Sequence, residues 1–152
     1  MLERLRAAGG LELEPLLVEC QFSVALPGWT LQGVIDLAVK APEGVVIIDY
    51  KTGRPEPASR LRRDLQLALY ALGAESLPEV AGELAGRRPR LEIVYLRDGR
   101  RLQLEATDEL LAQARQVGAE VAAGVGAGRF EPRPQRRRCG LCAYRLTCDR
   151  AM

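Results

Sequence analysis

The sequence predicts an α/β fold: a central mixed, largely antiparallel β-sheet flanked by helices, followed by a Cys-rich C-terminal tail. Three observations predict it. Two long stretches of strand-like alternation are separated by short Pro/Gly turns, the mark of consecutive hairpins. Val45-Val46-Ile47-Ile48 is apolar on both faces, so this strand is buried from both sides and takes a central place under helices. Further along, apolar residues recur at helical spacing on either side of another hairpin.

Met1–Ala8 reads as a stub of helix ended by Gly9-Gly10, an abrupt start that suggests a fragment of a longer polypeptide. Pro15–Leu26 and Trp29–Lys40 read as strands joined at Pro27-Gly28, and Ala41-Pro42-Glu43-Gly44 turns the chain into the third strand. A two-residue loop at Pro27-Gly28 sets Leu26 opposite Trp29, and counting back brings Glu19 opposite Asp36. The Pro42-Glu43 loop likewise brings Asp36 opposite Asp49. Three acids then line up across three strands, with Lys51 on the face of Asp49 because alternate strand residues share a side. One β-bulge in either hairpin would break the row, and Pro-Gly, which favours a type II turn, invites one.

Ser59 is a suitable N-cap for a helix to about Ala74, with Leu61, Leu65, Ala68, Leu69 and Leu72 as its apolar stripe. Arg62, Gln66 and Tyr70 follow one another along a second line of that helix, with Arg63 beside it. Leu77–Pro89 reads as a loop or short helix. Arg90–Arg97 and Arg101–Ala106 make a hairpin turning at Asp98-Gly99. Thr107 or Asp108 then caps a helix to about Val121, after which Gly124, Gly126 and Gly128 loosen the chain. Residues 1–128 form the core domain, and 129–152 a Cys-rich segment expected to pack on it.

Opposed carboxylates repel across a sheet unless something neutralises them, and a divalent cation with oxygen ligands does so. The lysine is singular in another way. Of 22 basic residues only Lys40 and Lys51 are lysines, so position 51 favours a compact ammonium over a planar guanidinium. Taken alone, Asp-x-Lys reads more readily as a solvated edge-strand tripeptide, and Arg62, Gln66 and Tyr70 as a solvated helix face; their shared setting favours the site.

In the tail, Pro132 and Pro134 exclude regular structure. Arg136-Arg137-Arg138 is a basic run placed to hold a phosphate backbone, and Cys139-x2-Cys142-x5-Cys148 follows it. In a cytoplasmic chain such spacing suits metal or cluster ligation rather than a disulfide. Three thiolates lack one ligand for tetrahedral zinc or a four-cysteine cluster. Cys20 lies on the opposite strand face from Glu19 and reads as a core cysteine.

Composition sets the limits. At 152 residues, 47% apolar and 28% charged, the chain suits one core-forming domain. It has no apolar run of membrane-spanning length and no signal-peptide pattern, which makes the cytoplasm the expected compartment. Residues 1–58 hold eight acids and five bases, whereas the remainder is net positive, an asymmetry suited to a metal site beside a polyanion-binding surface. There is no histidine, which excludes imidazole bases, imidazole ligands and Ser-His-Asp triads from this chain. No Gly-x4-Gly-Lys-Ser/Thr phosphate loop occurs, so any ATP-driven movement comes from elsewhere.

Glu19, Gly33-x2-Asp36, Asp49-Tyr50-Lys51-Thr52-Gly53 and Gln66-x3-Tyr70, in this order, resemble the PD-(D/E)XK nuclease superfamily. Within it the sequence is most similar to RecB/AddB-type DNA exonuclease domains and the related CRISPR adaptation exonucleases. The likeness covers roughly residues 16–150 and includes the terminal cysteines, which resemble the C-terminal part of an iron–sulfur staple. It implies a restriction-endonuclease-like fold and a metal-dependent deoxyribonuclease acting on DNA ends or single strands beside a helicase subunit or domain, in repair or recombination. It further implies that Asp36, Asp49 and the Tyr50 carbonyl hold Mg²⁺ or Mn²⁺, with Glu19 assisting directly or through water. Lys51 would orient the attacking water, and Gln66 and Tyr70 would support the site. Cys139, Cys142 and Cys148 would ligate a 4Fe-4S cluster in the intact protein, with zinc as the alternative. The arginines at 62, 63 and 136–138 would face DNA. Such relatives carry an upstream helix with a histidine and the first cluster cysteine, and this chain has neither before Cys20. A non-catalytic DNA-binding module with the nuclease fold is the alternative.

Overall fold

Alternation and tight turns build the first three strands. The computed structural model describes residues 14–55 and 65–152. Strand β1 (Pro15–Leu26) pairs antiparallel with β2 (Trp29–Ala41), and β2 with β3 (Gly44–Lys51). Leu26 faces Trp29 and Ala41 faces Gly44, so both loops are two residues long and the first hairpin carries no bulge at its turn. Gly28 takes φ +80° and Gly44 φ +124°, conformations that glycine adopts without steric cost.

From β3 the chain passes through α1 (Leu65–Ala74) and α2 (Pro78–Leu84) before returning as β4 (Arg90–Tyr95) parallel to β3. A parallel pair requires such a crossover. Strand β5 (Arg101–Glu105) closes the sheet antiparallel to β4, with Gly99 at φ +74° in the connecting turn. Among the described residues the sheet therefore runs β1-β2-β3-β4-β5, with the apolar β3 in the middle as its composition required.

The stretch after Leu77, expected as loop or short helix, is α2, begun by Pro78 and ended by Ala85 and Gly86, both at positive φ. Helix α3 (Asp108–Gly126) is capped by Thr107, whose hydroxyl accepts from the Leu110 amide at 3.2 Å. It continues five residues beyond the expected end at Val121, because glycine weakens a helix interior by only about 1 kcal/mol beside good formers such as alanine. The stop comes at Gly128 (φ +65°), where the Arg129 amide reaches back to the Gly124 carbonyl and the Gly128 amide to Val125.

Two clusters of buried side chains lie on the two faces of the sheet. One joins Phe22, Leu31, Ile35, Ala38, Val45 and Ile47 to residues of α1, α2 and the first turns of α3. The other gathers Val39, Val46, Ile48 and Val94, with Tyr50 packed against them.

The chain divides into two compact units, Met1–Ala119 and Glu120–Met152. In the second, a short helix α4 (Arg136–Gly140) begins directly after Pro134 with Gln135 as its N-cap, so the prolines exclude helix only up to their own positions. It buries no residue. The expected helix stub at 1–8, the Ser59 cap, Arg62 and Arg63 lie outside the described residues.

Candidate active site

Asp49 and Lys51 stand at the C-terminal end of β3, where the chain leaves the sheet toward α1. Asp49 is 2% exposed, because its side chain follows Val45 and Ile47 onto the helix-covered face. A carboxylate this deep requires a partner. Lys51 provides one, its Nζ 2.8 Å from Asp49 Oδ2.

The same ammonium donates to Gln66 Oε1 at 2.8 Å, and Gln66 Nε2 donates to the Tyr70 hydroxyl at 2.7 Å. The order is fixed by chemistry. An ammonium only donates, so the amide oxygen must face Lys51 and the amide nitrogen must face Tyr70. The Tyr70 oxygen accepts from Gln66, which leaves the phenolic proton to be donated elsewhere. Burial holds the Tyr70 phenol above its ordinary pKa; the Gln66 bond opposes this, Asp49 and Asp36 add to it, and Lys51 opposes it. The group therefore stays protonated at neutral pH.

Asp36 reaches the same place by a break in two strands at once. On β2, Leu31 and Ile35 face the helices, but so does Ala38, while Leu37 and Val39 face the other side. On β1, Phe22, Val24 and Leu26 face the helices, and beyond the break Leu17 does so opposite Ala38. The switch falls at the level of Glu19 and Asp36, which the ladder skips although Val18↔Leu37 and Cys20↔Ile35 keep the predicted count on either side. Glu19 has φ +46°, a left-handed conformation uncommon outside glycine, and that residue takes up the kink.

The β2–β3 ladder likewise stops at Leu37↔Ile48, one step before Asp36 would meet Asp49. In its place the Asp36 carboxylate accepts the Tyr50 amide at 3.0 Å. A side chain thus does the work of a ladder partner and satisfies a strand donor. The Lys51 carbonyl turns to β4, accepting from Leu96 at 2.9 Å, so the N–H and C=O of Tyr50 leave on the opposite edge, toward β2. The expected regular row of three acids is replaced by this opened corner. Among the described residues no three Asp, Glu or Cys side chains form a metal-holding group, so neither Glu19 with the two aspartates nor the three cysteines do so.

Two hard carboxylates and a strand carbonyl nevertheless fit magnesium or manganese. Such ions take one or two protein carboxylates and complete their shell with water and phosphate oxygens. Cys139, Cys142 and Cys148 are not gathered into such a group among the described residues, and three thiolates are one ligand short of a four-cysteine cluster or tetrahedral zinc.

One contributor escaped the sequence reading. The Phe22 ring fills the space where a Cβ on Gly33 would come within 2.7 Å of it, and where one on Gly73 of α1 would come within 2.5 Å. It also meets Tyr70 edge-on, with centroids 6.3 Å apart and planes at 86°. Phe22 thereby sets how closely α1, with Gln66 and Tyr70, lies on β1 and β2. The glycine of Gly33-x2-Asp36 makes room for this ring. The visible signal was an aromatic on β1 counting opposite that glycine, and Phe22↔Gly33 is the observed pair.

The other lysine contrasts with Lys51. Lys40 pairs with Glu83 at 2.7 Å on the surface. Arg136, Arg137 and Arg138 are exposed in the second unit.

A family model described as the PD-(D/E)XK nuclease superfamily matches residues 1–149. The chain belongs to this superfamily. The Gene 69 protein of Mycobacterium phage L5 is 28% identical over 131 residues, which is 86% of this chain and 43% of that protein. The chain therefore spans less than half the length of this curated relative. The crystal structure of SSO0001 superposes with a TM-score of 0.52 at 17% identity, covering 99% of this chain and 69% of that one. That likeness concerns the fold alone, and the fold is the restriction-endonuclease-like α/β arrangement expected from the motifs.

Proposed function

We propose that this chain is the nuclease domain of a metal-dependent deoxyribonuclease, acting on DNA ends or single strands as an exonuclease. The observation that carries the reading is the corner at β3. A buried Asp49, an Asp36 held by the Tyr50 amide, and a Lys51 ammonium tied to Gln66 converge there in a PD-(D/E)XK family member. Asp36, Asp49 and the Tyr50 carbonyl would hold Mg²⁺ or Mn²⁺, with Glu19 assisting directly or through water. When bound, the ion supplies Lewis acidity toward a phosphodiester and makes a water acidic enough to ionise near neutral pH.

The residues of the chain do the rest. Lys51 places a fixed positive charge beside Asp49, where negative charge develops on the phosphorus oxygens during displacement. Gln66 holds that ammonium in direction, so little reorganisation is needed as the charge moves. Tyr70, still protonated, presents its proton to a phosphate oxygen. Arg62, Arg63 and Arg136–Arg138 would hold flanking phosphates. A helicase subunit or domain, and ligation of a 4Fe-4S cluster or zinc by Cys139, Cys142 and Cys148 in a longer protein, belong to the same proposal through the family resemblance. Residues 1–128 would then be the catalytic domain and 129–152 its appendage. Among the described residues no helix is long and apolar enough to cross a membrane.

End-labelled DNA tests the reading. Release of labelled nucleotide is expected with Mg²⁺ or Mn²⁺, and Asp49→Asn is expected to abolish it while DNA binding persists. A parent chain that binds DNA but leaves it intact with either ion would instead establish the non-catalytic binding module.

A further inference from the structure

Tyr50 serves the corner with its backbone, while its side chain lies on the opposite face of the sheet. Its amide donates to Asp36 Oδ2 at 3.0 Å, and its carbonyl leaves on the same edge, toward β2. Both groups stand where the sheet holds them least. The β2–β3 ladder ends at Leu37↔Ile48, so no regular partner on β2 fixes the Tyr50 peptide. Strand β3 itself ends one residue later, at Lys51. Hydrogen bonds at such an end open more readily than those inside a sheet. Backbone pairing continues on the β4 side, through Tyr50↔Val94 and Lys51↔Tyr95.

The side chain supplies a second hold. Val46, Ile48 and Tyr50 alternate onto the face away from the helices, where the Tyr50 ring packs against Val39, Val46, Ile48 and Val94. Those four are at most 7% exposed, so the ring rests on a close-packed floor. Arg101 lies on the far side of Val94 from it, bonded to Glu92 on β4. The Tyr50 hydroxyl makes no hydrogen bond among the described residues, so packing of the ring is what holds the side chain. A tyrosine has only two side-chain torsions, and a seated ring therefore constrains the Cα that carries it. Elsewhere on that face burial serves the core alone. At position 50 the same burial fixes a peptide whose two polar groups face the site.

We infer that Tyr50 is a positioning residue: its ring, seated on the far face, fixes the peptide that donates to Asp36 and presents its carbonyl to a metal ion. The carbonyl's part rests on the metal reading of the corner, whereas the hold on the Asp36 donor is independent of it.

Tyr50→Ala, Tyr50→Phe and a packing control test it in the full chain. The control is Val39→Ala, which thins the same cluster at its pairing with Val46, away from the end of β3. In metal-free protein, hydrogen exchange at the residue-50 amide, corrected for its intrinsic rate, should quicken at least about tenfold in Tyr50→Ala. The Val39→Ala protein should keep that amide as protected as the parent does, although its denaturant midpoint falls. Calorimetric titration with Mn²⁺ should show affinity lowered at least about tenfold in Tyr50→Ala, the scale of losing a group that orients a ligand. Tyr50→Phe should match the parent in both measurements. Tyr50→Val, which keeps a β-branched strand former but not the ring, stands in if Tyr50→Ala does not fold. Unchanged exchange or unchanged Mn²⁺ affinity in the ring-less protein overturns the inference. An equal loss of both in Val39→Ala also overturns it, because the effect would then be one of core volume alone. A parent chain that binds no Mn²⁺ overturns the metal reading instead, and the exchange comparison then decides the hold on the Asp36 donor by itself.

Discussion

The sheet buries two carboxylates, one on each face of its central parallel pair, and solves them alike. Asp49 on β3 and Glu92 on β4 have side chains only 3% exposed, and each is paired with a cation near one-third exposure: Lys51 at 34% and Arg101 at 30%. Glu92 sits opposite Ile48 on the face away from the helices, with Tyr50 nearby. Burial lifts the Tyr50 phenol above its ordinary value; Arg101 opposes this, and Glu92 and Asp36 add to it. The Glu92 bond in turn raises the Arg101 guanidinium. The difference lies in what surrounds each pair. Glu92 has an arginine whose bond it receives directly, whereas Asp49 has a second carboxylate across an opened ladder and a lysine shared with Gln66. An ion pair by itself only makes burial tolerable. A second acid and a shared ammonium distinguish the corner to which the proposed function assigns a metal ion.

The comparison can be broken from either side, beginning with the largest effect. Lys51→Ala is expected to cost about 10²-fold or more in cleavage rate, the scale of removing one preorganised charge from a transition state. Arg101→Ala should instead cost roughly 3 kcal/mol of stability by leaving Glu92 buried and unpaired, with cleavage retained in folded protein. Denaturant midpoints and single-turnover rates on both variants separate the two; a Lys51→Ala protein that cleaves normally makes the pairs equivalent.

Packing behind the site comes next. Gly73→Ala drives a methyl into Phe22 and is expected to destabilise by about 1–3 kcal/mol, with partial recovery in the Phe22→Leu double variant. A normal denaturant midpoint for Gly73→Ala alone would show that the ring moves freely and does not position α1.

Smaller changes sharpen the contrast between the acids. Asp36→Asn removes one of two repelling charges while still accepting the Tyr50 amide, so melting temperature should hold or rise by the equivalent of under about 1 kcal/mol as cleavage is lost. Glu92→Gln, which removes the acid of an unopposed pair, should lower it.

The smallest effect is alkaline. With the folded pKa of Tyr70 raised above its ordinary value of 10.0, the unfolded chain ionises first. The stability contributed by the neutral phenol is complete below pH 10 and is lost as pH rises through the folded value. Tyr70→Phe should therefore flatten the fall of melting temperature above pH 10, and an unchanged pH profile would show that burial of the hydroxyl is not felt.

Much of this was legible in the residues. The loops at Pro27-Gly28 and Pro42-Glu43 fixed both registers by counting, and four β-type valines and isoleucines in a row placed β3 at the centre. Asp-x-Lys placed Asp49 and Lys51 together, and Gln66 with Tyr70 at helical spacing put amide and phenol in contact along α1. Helix ends were less legible, since the stop at Gly128 depends on backbone hydrogen bonds formed only when the chain turns left-handed there.

The sequence by itself determined strand order in the first meander, the central strand and the pairing of Asp49 with Lys51 and of Gln66 with Tyr70, because these follow from side-chain period and loop length. The tertiary structure decided how the acids are used. A left-handed Glu19 and the loss of two ladder steps moved Asp36 from a regular row onto the Tyr50 amide, while Phe22 between two glycines set the distance of the helix. Both depend on residues far apart in the chain competing for the same space, and periodicity carries no information about that competition.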